Sequence, residues 1–104
     1  MERKPMYFNS ISEVYYSFEE LPTKGIQITL HITDNILGIK DIVITRPMIT
    51  DRQNPKPTIQ TYLDEVINKG IDTVKVIPDK QSSKWWRIEF SKDSVTSFIQ
   101  CVID

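Results

Sequence analysis

The stretch that decides the fold is residues 26–33, Ile-Gln-Ile-Thr-Leu-His-Ile-Thr. Isoleucine or leucine stands at every even position, and glutamine, threonine or histidine stands at every odd one. Because successive side chains of a strand point to opposite faces of a sheet, this alternation predicts a half-buried strand with one face toward solvent or a partner. The following Asp34-Asn35 pair is typical of a turn. We therefore predict a hairpin of residues 26–33 and 36–46, with a bulge near Lys40-Asp41, where the apolar phase slips.

Three segments carry apolar residues at helical spacing. The first also has a serine and a glutamate at the spacing of a capping box, and the second ends at a glycine that would stop a helix. The predicted helices run from Ser10 to just before Pro22, from Thr58 to Lys69 with Gly70 as the stop, and onward from Ser91 or Asp93.

Residues 72–78 and 84–90 are predicted to form two more strands, joined by a polar loop, and residues 6–8 form a short edge strand. Segment 47–57 contains three prolines and is predicted to be the one long loop. The element order is then (β)-α-β-β-α-β-β-α in a single domain, residues 1–104. This order predicts an α+β fold of two layers, with helices on one face of an antiparallel sheet.

A shift of the chain by 45 residues aligns residues 17–26 with residues 62–71 and pairs identical Glu, Lys, Gly and Ile residues. One interpretation is a duplicated β-α-β-β unit, with a small-ligand cleft between its halves lined by the polar sheet face around His31. The other is chance, combined with the common use of Lys-Gly at the end of a helix. Both interpretations remain open at this point.

Composition narrows the class of protein. The chain has 104 residues, is 39% hydrophobic, and carries 13 Lys and Arg against 14 Asp and Glu, for a net charge of −1. These values predict one folded globular domain rather than a disordered chain. The apolar runs are far too short for a membrane span, no secretory signal opens the chain, and Cys101 is its one cysteine. We therefore expect a cytoplasmic protein that does not bind membranes.

The sequence provides little for catalysis. It lacks a glycine-rich phosphate loop, and its adjacent carboxylates lie on predicted helices, where neighbouring side chains point apart. His31 lies on a polar strand face without a visible carboxylate to orient it, so we interpret it as a solvated histidine. Cys101 is interpreted as a small buried hydrophobic residue. We expect a protein that is not an enzyme and that holds no cofactor and no metal.

Residues 84–90, Lys-Trp-Trp-Arg-Ile-Glu-Phe, are the strongest candidate for a binding surface. As a strand, they place Trp86 with the core residues and Trp85 with Arg87 on the polar face. Three interpretations follow for Trp85: it anchors a protein interface, it stacks on an unpaired base with Lys80 and Lys84 at the phosphates, or it packs within the molecule. Residues 75–92 hold five cations and two anions, whereas residues 2–20 hold two cations and four glutamates.

Two further features suggest protein contacts. Tyr16 on the first predicted helix lies among three glutamates, and Arg52 lies in the proline-rich loop. Our leading hypothesis is a small non-enzymatic protein, an inhibitor or adaptor, that binds another protein or a second copy of itself. The alternatives are a single-stranded nucleic-acid-binding module and a small-ligand-binding domain. The nominated partner-binding residues are Trp85, Arg87, Lys84, Lys80, Tyr16 and Arg52.

Overall fold

The computed structural model describes residues 4–23, 25–47 and 55–103. In these residues the chain forms seven strands and one helix, and all the strands join one antiparallel sheet in the order β1-β5-β6-β7-β4-β3-β2. In chain order the elements are β1 (Met6–Asn9), β2 (Ile11–Leu21), β3 (Gly25–Asp34), β4 (Gly38–Pro47), α1 (Pro55–Asn68), β5 (Thr73–Pro78), β6 (Trp85–Lys92) and β7 (Val95–Ile103).

The sheet curls around α1. Strands β1 and β2 are its two edges, yet only Ser10 separates them along the chain. The edges therefore meet at this residue, which adopts a φ of 58°. Its carbonyl oxygen accepts a hydrogen bond of 3.2 Å from the backbone N–H of Asn35, in the turn between β3 and β4. This contact holds the corner against the adjacent hairpin.

The core fills the inner face of the curl, between the sheet and α1. The even-numbered residues of the 26–33 segment are all fully buried there. Each apolar side chain of this size contributes roughly 1.5–3 kcal/mol when it is buried. The helix adds Leu63 and Val66 from its sheet-facing side, and β5 and β6 add Val74, Val76, Ile88 and Phe90.

Several predictions of single elements are confirmed. Strands β3 and β4 form the predicted hairpin, β5 and β6 correspond to the strands predicted at residues 72–78 and 84–90, and β1 lies at an edge of the sheet. Helix α1 is also confirmed, although it begins at Pro55, so that Thr58 lies within it rather than at its cap. Gly70 stops the helix as predicted: its φ is 83°, and its N–H donates to the carbonyl oxygen of Ile67 at 3.0 Å.

The first predicted helix is wrong, because residues 11–21 form strand β2. Val14, Tyr16 and Phe18 point inward and pack against the core. The segment is rich in β-branched and aromatic residues, which fit a pleated surface. Its apolar positions satisfy both the period of a helix and that of a strand, and pairing with β3 decides between the two.

The third predicted helix is also wrong, because residues 95–103 form strand β7. Asp93 and Ser94 have φ angles of 49° and 68°, which make a two-residue hairpin turn between β6 and β7. The two-layer α+β fold with three helices is therefore corrected: the described residues form a single curled antiparallel sheet with one helix.

The duplicated unit and the bulge are wrong as well. Residues 17–21 and 25–26 belong to strands β2 and β3, whereas residues 62–71 form the helix and its end. Strands β3 and β4 pair without interruption from Gly25–Pro47 to Asp34–Gly38, so Ile39 lies on the outer face. Within the described residues, no helix is long and apolar enough to span a membrane.

Candidate functional site

The sheet face that points away from α1, here called the outer face, is covered by no other element of the described chain. It carries the odd-numbered residues of the 26–33 segment and the residues paired beside them. Large aromatic and aliphatic side chains are exposed on this face, although such side chains are usually buried. These exposed residues are Tyr7, Tyr15, Ile39, Trp85 and Phe98.

Trp85 and Arg87 lie together on this outer face, as the strand pattern predicts, and Trp85 is 37% exposed. Arg87 does not stack on Trp85. Its Cζ lies 3.8 Å from the ring centroid of Phe98 on β7, and its Nε lies 3.3 Å from Oε2 of Glu89. The guanidinium is thus held between the Phe98 ring and the Glu89 carboxylate.

The two lysines of the predicted site, Lys80 and Lys84, are exposed in the loop between β5 and β6. Asp79 shapes this loop, since its Oδ1 accepts the N–H of Gln81 at 2.7 Å and its own N–H donates to the Trp85 carbonyl oxygen at 2.9 Å. The structure therefore places these lysines beside the Trp85 end of β6.

A second group on the outer face centres on His31. Its Nδ1 lies 2.9 Å from Oδ1 of Asp41, and its Nε2 lies 3.4 Å from Oγ of Ser17. The ring of Tyr15 stacks on the imidazole, with centroids 4.4 Å apart. Sequence reasoning missed this group because it placed Asp41 in a bend; the unbroken β3–β4 register puts it directly opposite His31.

The order serine, histidine, aspartate is that of an acyl-transfer triad. Catalysis of that kind also requires hydrogen-bond donors arranged for an oxyanion and a site from which water is excluded. Here the three side chains form a row across β2, β3 and β4 on a face that the described elements leave open, and Asp41 is 53% exposed. The contacts with Ser17 and Asp41 therefore orient the His31 ring at the surface.

The structure separates Tyr16 from Trp85 and Arg87, which lie on the opposite face of the sheet. Tyr16 lies on the inner face, half-buried, and its hydroxyl donates to the Asp64 carboxylate of α1, with the Gln60 carbonyl oxygen 3.3 Å away. Burial and, next, the contact with Asp64 raise the pKa of Tyr16 to about 12. The acidic, aromatic helix surface expected around it does not form, because this segment is a strand.

The remaining predictions concern Arg52, Cys101 and a metal site. Arg52 and most of the proline-rich loop lie outside the described residues. Cys101 is fully buried in the core, which confirms its interpretation as a small hydrophobic residue. Among the described residues, no group of three His, Cys, Asp or Glu side chains is placed to hold a metal ion.

Comparison with known proteins yields no relative. No protein-family model matches the chain, and neither a curated protein nor a solved structure matches it significantly.

Proposed function

We propose that this protein is a non-enzymatic binding protein that docks the Trp85 end of its outer face onto another protein and thereby masks a surface of that partner. The observation that carries the proposal is the arrangement of Trp85, Arg87 and Phe98 on an uncovered sheet face. Tryptophan and arginine are enriched among the residues that dominate the free energy of protein association.

The fixed position of Arg87 supports this proposal. The Phe98 ring and the Glu89 carboxylate already restrict the guanidinium before any partner arrives. Immobilising a rotamer-rich side chain on binding costs about 0.5–1.5 kcal/mol, so restriction in the free protein reduces that cost. The Arg87 group is therefore prepared for an interface, with Trp85 beside it as the apolar anchor.

Charge argues against the nucleic-acid alternative. The described outer-face side chains include four carboxylates, on Glu13, Glu19, Asp41 and Glu89, against two cations, Lys75 and Arg87. Phosphate neutralisation by Lys and Arg supplies most of the affinity of non-specific nucleic-acid binding. The outer face has a net charge of −2 by this count, and even with Lys80 and Lys84 at its end it has no net positive charge to attract a polyanion. The small-ligand alternative depended on the duplicated unit and is not retained.

Affinity capture from the cells that express the protein tests this proposal. The wild type is compared with Trp85→Ala and with Ile36→Ser, a matched control in the β3–β4 turn, where Ile36 is 77% exposed. We expect one protein to be retained by the wild type and by Ile36→Ser and to be lost with Trp85→Ala, and retention to survive nuclease treatment.

Two results would overturn the proposal. Retention that disappears with nuclease would support the nucleic-acid alternative, and retention unaffected by Trp85→Ala would move the interface elsewhere. Sedimentation of the purified protein identifies the remaining case: a dimer that dissociates with Trp85→Ala makes the partner a second copy of this chain.

A further inference from the structure

The long edge strand β2 has backbone hydrogen-bonding groups on the side that faces away from β3. It spans Ile11–Leu21 and, among the described strands, pairs with β3 alone. Alternate backbone N–H and C=O groups of such a strand point away from its neighbour and are available to another chain. The opposite edge is much shorter, since β1 has four residues. Natural proteins often protect long edges with charged side chains or proline; β2 contains no lysine and no proline, and its charged residues are all glutamates.

A groove runs along this edge, between β2 and α1. It has a volume of about 540 Å³ and is lined by residues 15–18 of the strand and by Gln60, Asp64 and Ile67 of the helix. The contact between Tyr16 and Asp64 joins its two walls. A groove bounded by a strand edge and a helix is suited to an extended segment that adds to the sheet as a further strand.

The charge of the groove restricts its occupant. Strand β2 carries Glu13, Glu19 and Glu20 and no cation, and the helix wall adds Asp64. A second copy of β2 pairing here would bring the glutamates of two strands together, and like charges across a strand pair are destabilising. An extended segment with lysine or arginine side chains meets these carboxylates with the opposite charge.

We propose that the β2–α1 groove binds an extended, lysine- or arginine-bearing segment of a partner protein as an additional antiparallel or parallel strand on β2. Backbone hydrogen bonds to β2 hold the segment, and its basic side chains face Asp64 on one side and Glu13 and Glu19 on the other. This surface is distinct from Trp85 and Arg87, so the inference stands or fails independently of the proposed function.

The test is an NMR titration of the full chain with the hexapeptide Lys-Lys-Val-Lys-Lys-Val, which presents lysines on both faces when it is extended as a strand. We expect the backbone amide signals of residues 13–19 and 60–67 to shift and the shifts to weaken with added salt. The same peptide with alternate backbone nitrogens methylated loses its hydrogen bonds and is expected not to bind. The peptide Glu-Glu-Val-Glu-Glu-Val is the charge control.

Two variants sharpen the result. Asp64→Asn is expected to weaken binding of the lysine peptide roughly threefold, whereas Glu65→Gln, beside it on α1 and 3.6 Å from Lys69, is expected to leave binding unchanged. Trp85→Ala is also expected to have no effect. Absence of shifts, shifts centred on Trp85 and Phe98, equal binding of the glutamate peptide, or a dimer in sedimentation with β2 amides protected would each overturn the inference.

Discussion

Arg87 of β6 lies over the ring of Phe98 of β7, with its Cζ 3.8 Å from the ring centroid. The two residues are two positions out of direct register, since Phe98 pairs with Glu89 and Arg87 pairs with Gln100. The contact is therefore diagonal, across two strands of the outer face. This contact fixes the position of Arg87, the most exposed cation of β6, beside Trp85.

A double-mutant cycle measures this contact. Phe98→Leu keeps apolar bulk but removes the aromatic face, and Arg87→Gln removes the charge. Because both side chains are about half exposed, we expect a coupling of about 0.5 kcal/mol in the free energy of unfolding by urea. Additive effects of the two substitutions would show that the cation and the ring do not interact in solution.

Tryptophan fluorescence separates the two faces of β6. Trp85 lies on the outer face and is 37% exposed, whereas Trp86 packs against the core. We expect iodide to quench one fraction of the emission readily, and Trp85→Phe to remove that fraction. Trp86→Phe is the control and should leave an accessible emitter; equal protection of both indoles would place Trp85 in a covered position.

The pKa of Tyr16 reports the contact between β2 and α1. Burial is the main reason that this pKa is raised to about 12, and Asp64 is the next. Tyr16→Phe should remove the highest-titrating component of a spectrophotometric tyrosine titration, and Asp64→Asn should lower its pKa while burial still keeps it above 10. Since the raised pKa favours the neutral form in the folded state, this stabilisation is present below pH 10 and is lost as the pH rises toward about 12. A titration unchanged by Asp64→Asn would contradict the contact.

Because of Asp34, we expect the free energy of unfolding to decrease at acid pH. Asp34 is buried at the β3–β4 turn, where its Oδ1 accepts the N–H groups of Ile36 at 2.7 Å and Leu37 at 2.9 Å. The Leu37 N–H is the largest cause of its lowered pKa, so the unfolded chain binds the proton more tightly. Stability from this group is present above pH 3.8 and is lost as the pH falls through the lower folded value.

Asp34→Asn tests that expectation, because asparagine keeps an acceptor oxygen but does not titrate. Urea unfolding between neutral pH and pH 2 should fall less steeply with acid for Asp34→Asn than for the wild type. Added salt should preserve the difference, since local N–H groups rather than distant charges lower the pKa. Superimposable pH profiles for the two proteins would refute the assignment.

We expect a glycine substitution in the β6–β7 turn to stabilise the protein. Asp93 and Ser94 both have positive φ angles, a conformation that glycine adopts without the strain imposed by a Cβ. Ser94→Gly is expected to raise the free energy of unfolding by about 0.5–1 kcal/mol in urea melts. Ser83→Gly, in the exposed β5–β6 loop and without a positive φ, is the control and should lower stability slightly. A loss of stability in both variants would rule out the turn assignment.

Local pattern predicted much of the sheet but not its extent. The strict alternation of residues 26–33, the stop at Gly70 and the two faces of residues 84–90 each depend on neighbours in sequence, and all three interpretations hold. Residues 11–21 and 95–103 fit a helix equally well by spacing. Their pairing with β3 and β6 decides the matter, and local periodicity does not encode strand pairing.

The candidate sites likewise combine features that follow from the sequence with contacts that depend on the tertiary structure. The sequence by itself determined that Trp85 and Arg87 share a face opposite the core, because side chains alternate along any strand. Only the tertiary structure decided that Phe98 lies beneath Arg87, that Asp41 meets His31, and that β2 faces α1 across a groove. Each of these contacts joins different elements, so it depends on strand register and on the curl at Ser10, which are set by burial of the whole core rather than by any local segment.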